Sequence, residues 1–178
     1  MNLKKIKILA IINIFILSFI SHFMYQLFPN ILVSFFFPVN ESIAEHMKIL
    51  FTSTLIYGII DYLLLKINNI KINNFKFQLF ITSTLSIPIF LIIYLPIYQI
   101  LKENLIITLL IMFLTYIICQ IISYKLLTSK NYIYLNYISI PLIILIYIIF
   151  IILTYNPPQI PLFYDNINKH YGIKRTYQ

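Results

Sequence analysis

Residues 77–124 read FQLFITSTLSIPIFLIIYLPIYQIL, then Lys102-Glu103-Asn104, then LIITLLIMFLTYIICQIISY. Two long apolar runs are parted by one short polar break. A hydrocarbon core about 30 Å thick takes about 20 helical residues at ~1.5 Å each, and both runs are that long. A membrane-spanning strand would need only ~10 residues with apolar and polar positions alternating, a pattern missing here. Ile, Tyr and Phe favour strands in water. In lipid, however, each segment must satisfy its own backbone hydrogen bonds, which outweighs a propensity difference under ~1 kcal/mol per residue.

Three more runs of this kind lie at 8–28, 49–65 and 132–155, beside 77–101 and 105–124. Hydrophobic residues make up 61% of the 178-residue chain and charged residues 10%, too few to clothe a soluble domain. The expected fold is all-α, an integral membrane bundle of five transmembrane helices forming a single membrane domain over 1–178. Residues 156–178 form a tail. No small-residue cleavage site follows the first run, whose polar break is Ser21-His22-Phe23-Met24, so it reads as a retained signal anchor. Pro88, Pro96 and Pro141 fall inside runs and are expected to kink their helices. Asn-rich loops such as Asn68-Asn69 and Asn73-Asn74 fit the overall compositional bias and carry little message of their own.

Charge chooses an orientation. With the N-terminus cytoplasmic, Lys4, Lys5, Lys7, Lys66, Lys71, Lys76, Lys125 and Lys130 are inside. Lys48, Lys102, Lys169, Lys174 and Arg175 are then outside. This obeys the positive-inside bias and puts the C-terminus outside the cell membrane. The net charge of +8 is absorbed by those loops, and no reading element for nucleic acid is present. Cys119 is the only cysteine, which excludes an internal disulfide and a cysteine metal cluster.

The same topology collects Glu41, Glu45, Glu103, Asp165, His22, His46 and His170 on the outer side, although none of them was used to choose it. The stretch Pro38-Val39-Asn40-Glu41-Ser42-Ile43-Ala44-Glu45-His46 concentrates them. As a helix start, Ser42 and Glu45 make an S-x-x-E capping box. Continued as helix, the stretch would place Glu41 four residues from Glu45 and Ser42 four from His46, so that two carboxylates and an imidazole share one turn. Carboxylates that close need a cation, a proton or a basic partner between them. His22 lies deep enough in the first run to require a bundle-facing position. Residues 31–39 are apolar but too short to span, and read as an interfacial or re-entrant piece. The tail carries Ile160, Leu162, Phe163 and Tyr164 together, so it is expected to fold back over the outer face and bring Asp165 there. The expected polar cluster is His22, Asn40, Glu41, Ser42, Glu45, His46 and Asp165, with His22, Glu45 and His46 as candidate ligands for a divalent metal such as zinc. Asp61, near the inner end of the second run, reads as paired with Lys66 or reaching the interface, with Asp61→Asn well tolerated.

Three stretches together carry a resemblance: His22-Phe23-Met24-Tyr25; Phe36-Phe37-Pro38-Val39-Asn40-Glu41-Ser42-Ile43-Ala44-Glu45-His46-Met47-Lys48; and Pro161-Leu162-Phe163-Tyr164-Asp165 with Tyr171-Gly172-Ile173. The chain resembles a family of small multi-pass bacterial membrane proteins, found chiefly in Gram-positive anaerobes, that is known only as a domain of unknown function. Ala44 stands where that family often has a large aromatic residue. The resemblance implies the membrane class and ties the three stretches to one feature; it implies no activity.

Two functional readings follow. The favoured one is a small non-enzymatic membrane module for ion binding, transport or an accessory role, in contact with the lipid bilayer. A transporter this small would have to oligomerise to enclose a path, and an accessory subunit would need a membrane partner protein. The alternative is a membrane-embedded metal-dependent enzyme acting on a lipid or envelope precursor at the outer face, although no established spacing such as H-E-x-x-H is present.

Overall fold

A computed structural model describes residues 1–102 and 104–173. Glu103, Lys174 and Arg175, counted above in the charge balance, lie outside the described residues. The elements are α1 (Leu3–Leu27), α2 (Ile31–Phe36), α3 (Ile43–Ile67), α4 (Phe75–Leu101), α5 (Leu105–Thr128) and α6 (Ile133–Tyr155). A 3-10 turn at Pro161–Phe163 leads into a hairpin of β1 (Tyr164–Asp165) and β2 (His170–Tyr171). The hairpin is antiparallel, with Tyr164 opposite Tyr171 and Asp165 opposite His170.

Helices α1, α3, α4, α5 and α6 are each long and apolar enough to cross a membrane. Several outrun the apolar stretches that announced them, because capping decides where a helix begins. The Asn2 side chain accepts the Lys5 N–H and the Ser42 side chain accepts the Glu45 N–H, which starts α1 and α3 several residues before their runs. Both proline-bearing helices, α4 and α6, continue through Pro88, Pro96 and Pro141.

The bundle is lined with small polar side chains and coated with Ile. Ser18, Ser21, Ser53, Thr54, Thr82, Ser83, Ser86, Thr115, Ser123 and Thr154 are buried, while Ile8, Ile12, Ile16, Ile59, Ile144 and Ile152 are exposed. Lipid tails are as apolar as Ile, so close approach and hydrogen bonds hold membrane helices together in place of hydrophobic burial. Many hydroxyls donate to carbonyls of their own helix, as Thr115 does to Ile111 at 2.8 Å and Thr54 to Leu50 at 2.8 Å. Others cross between helices: Ser53 donates to Ser21 at 2.9 Å, and the Ser18 and Tyr116 hydroxyls lie 2.6 Å apart.

At the N-terminal end of the bundle, the Lys7 ammonium on α1 pairs with the Asp61 carboxylate on α3, both buried. This corrects the expected pairing of Asp61 with Lys66. Antiparallel packing sets the start of α1 against the end of α3, while Lys66 faces outward. Asn74 also does more than a compositional filler. Its amide donates to the carbonyls of Leu126 and Lys130, and its oxygen accepts the Tyr132 N–H, tying α4 to the α5–α6 connection.

Short α2 packs on α6 and α1 at the opposite end. The tail covers that end, and this is where the sequence-predicted polar residues lie.

Candidate functional site

The site is built around the turn into α3. The Asn40 side-chain oxygen accepts the Ser42 N–H at 2.9 Å, and its amide donates to the Gly172 carbonyl at 2.8 Å. One asparagine thereby shapes the turn and docks the tail. Gly172 has φ +62, and an added Cβ would sit 2.6 Å from the Thr154 carbonyl oxygen, so the tail can close on α6 only through a glycine.

Asp165 is fully buried and its carboxylate is saturated with donors. One oxygen accepts the N–H groups of Ile167 at 2.9 Å and Asn168 at 2.8 Å. The other accepts the Asn168 side-chain amide at 2.9 Å and the Glu41 N–H at 3.0 Å. Burial pushes this carboxyl up, but the hydrogen bonds from Asn168, Glu41 and Ile167 outweigh it and hold the group below its ordinary value. Asp165 therefore fixes the backbone beneath Glu41 without joining the groups that Glu41 faces.

The two glutamates of the turn part company. Because Ser42 is the N-cap, Glu41 precedes the helix and is not a helical neighbour of Glu45. The Glu45 carboxylate is buried, accepting Lys48 Nζ at 2.8 Å, the Val39 N–H at 3.0 Å and the Thr154 hydroxyl at 2.7 Å. Lys48 also donates to the Ser34 carbonyl at 2.9 Å. Glu45 is thus the centre of a knot joining α2, α3 and α6. In the expected ligand set, its place beside His22 and His46 is taken by Glu41.

The Glu41 side chain reaches two imidazoles from different helices. His22 Nε2 of α1 lies 3.7 Å from one carboxylate oxygen, and His46 Nε2 of α3 lies 3.4 Å from the other. The imidazole rings are 5.2 Å apart, and ligand atoms of all three residues fall within 4.8 Å of one another. His46 Nδ1 is 2.8 Å from the Ser42 carbonyl, which can only accept, so Nδ1 carries a proton. Nε2 is then the atom that faces Glu41: protonated, it directs an N–H at the carboxylate, and deprotonated, it offers its lone pair there. The His46 imidazole holds the Glu41 carboxyl below its ordinary value, with His22 adding to the effect against burial and Asp165.

Glu41 also lines two cavities. One, about 240 Å³, is bounded by His22, Tyr25, Gln26 and Asn40 with the adjoining loops. The other, about 380 Å³, has Glu41 and His46 at one end and otherwise mainly apolar walls, including Ile49, Leu50, Phe90 and Met112. Ile167 of the tail contributes to its wall.

Of the residues expected in one cluster, His22, Glu41 and His46 meet directly. Asn40, Ser42 and Asp165 support them through the backbone, and Glu45 serves the helix knot. The Lys7–Asp61 pair lies at the other end of the bundle. The chain belongs to the family of unknown function DUF6512, whose model matches residues 1–173. No curated protein and no solved structure matches it.

Proposed function

We propose that this member of a family of unknown function is a small, non-enzymatic membrane module that binds a divalent cation, zinc by preference, through His22, Glu41 and His46. The spacing of the three ligands is the observation that supports it most. Two ligands about 2.0–2.2 Å from a tetrahedral zinc ion lie roughly 3.3 Å apart. His46 and His22 lie 3.4 and 3.7 Å from different Glu41 oxygens, longer than the ~2.7–2.9 Å of a charge-assisted hydrogen bond. One donor atom from each residue falls within 4.8 Å of the others, so a small inward shift of the side chains brings all three to that spacing. A carbonyl on Nδ1 that leaves Nε2 as donor to the metal is how zinc-binding histidines are commonly oriented. Two imidazoles and a carboxylate suit zinc and leave a fourth position open.

The lysine distribution supports an outward-facing site in the cell membrane. Lys4, Lys5, Lys66, Lys71, Lys76, Lys125 and Lys130 belong to the end of the bundle opposite the trio.

The test is metal stoichiometry on purified protein loaded with Zn(II) or Co(II). One ion per chain is expected, lost in His22→Ala, His46→Ala and Glu41→Gln and kept in His170→Ala. Stoichiometric binding that survives both trio histidine changes would overturn the reading.

A further inference from the structure

The two cavities that share Glu41 differ in character. On the His22 side the walls include Tyr25, Gln26 and Asn40; on the His46 side they are mainly apolar and enter the bundle between α3, α4 and α5. The trio thus stands where a polar space meets an apolar one, within the half of the bundle that carries the tail. A site for a bare ion has no use for 380 Å³ of largely apolar space beside it.

A bound divalent cation with one carboxylate and two neutral imidazoles carries a net single positive charge and an open coordination position. That charge and that vacancy suit an anionic oxygen. The adjoining space suits a hydrocarbon chain, and the Tyr25 hydroxyl and Gln26 amide can serve a head with further acceptor oxygens. Resting on the cation reading above, the geometry points to a single-chain phosphorylated lipid as the ligand of this site: its phosphoryl oxygen completes the coordination, its chain fills the apolar cavity, and the hydrophilic remainder of its head occupies the polar one.

Cobalt-loaded protein tests this, because the visible Co(II) spectrum reports a change of the fourth ligand. Octyl phosphate, inorganic phosphate and octanol are titrated separately. Octyl phosphate is expected to half-saturate the spectral change at a concentration at least roughly tenfold below inorganic phosphate, with octanol silent. Met112→Trp and Thr108→Phe, which fill the apolar cavity, should each abolish that advantage while cobalt stoichiometry and the response to inorganic phosphate persist. Retained cobalt is the check that each variant has folded, and the second variant stands in if the first loses it. Equal half-saturation by the two phosphates, or an advantage untouched by either filled variant, overturns the lipid ligand and leaves the cation site standing. A protein that takes up no cobalt overturns the cation reading and this inference with it.

Discussion

The Asp165 carboxylate accepts the backbone N–H of Glu41 at 3.0 Å, across 124 residues of chain. The group that faces both histidines is thereby held from below by the tail, and tail docking and site geometry become one property.

Asp165→Ala is expected to leave four N–H donors without their acceptor and to destabilise tail docking by about 2–4 kcal/mol. Limited proteolysis should then cut within 160–172 much faster than in the parent, and metal affinity should fall although no ligand has changed. Acid should act in the same direction. The carboxyl lies below its ordinary value of 3.8 in the folded protein, so its stabilisation is fully present above that value. It is lost as pH falls through the lower folded value. Tail protection that is unchanged in Asp165→Ala would refute this role.

Asp61→Asn should be costly, contrary to the expectation that a neutral amide at a paired or interfacial position is well tolerated. The change strands the buried Lys7 ammonium between α1 and α3, and breaking a buried pair from one side costs about 3–5 kcal/mol. The double change Lys7→Met with Asp61→Leu should recover most of the loss. Thermal unfolding in detergent of Lys7→Met, Asp61→Leu and the double change against the parent forms the cycle, and equal stability of Asp61→Asn and the parent would reject the pair as a structural element.

Glu41 and Glu45 should separate cleanly by experiment. Glu45→Gln leaves Lys48 buried without its counter-charge and is expected to lower stability by several kcal/mol while the folded fraction still binds metal. Glu41→Gln, at a partly exposed position, should shift stability by no more than ~1 kcal/mol and abolish metal binding. Metal loss in Glu45→Gln protein that remains folded would return Glu45 to the ligand set.

Topology can be read with tags. A tag at residue 2 is expected to report the cytoplasm and one after Gln178 the exterior, the orientation that the positive-inside bias favours. Cys119 is buried in α5 and should react slowly with thiol reagents from either face. Both ends on the same side would be incompatible with five spans.

Membrane helices are the part of this fold most legible in a sequence, because hydrocarbon thickness sets a minimum length and the apolar runs meet it one by one. The gathering of His22, Glu41, His46 and Asp165 towards one end was also readable, since alternating spans sort every polar residue to a side. Which glutamate faces the histidines was not. That depends on the backbone leaving the helix at Ser42, one residue after Glu41, and on Lys48 drawing Glu45 inward. The partner of Asp61 was hidden for a related reason: Lys7 is 54 residues away, and only the packing of α1 on α3 selects it over nearby Lys66. Asn74 was indistinguishable from its neighbours until three segments converged on its amide.

The tail that holds Glu41 in place has a consequence for biosynthesis. His22, Glu41 and His46 all belong to the first half of the chain and enter the membrane early, yet Asp165 and Gly172 are synthesised after every membrane helix. Through most of insertion these three side chains therefore share a membrane without the backbone support that sets their spacing. If the proposed cation site is right, a cation met during that interval would encounter a loosely arranged set of side chains, and high affinity would arise only when the last helix is in place and the tail closes. On the cation reading proposed above, metal loading would be a late event in maturation, dependent on completed translation.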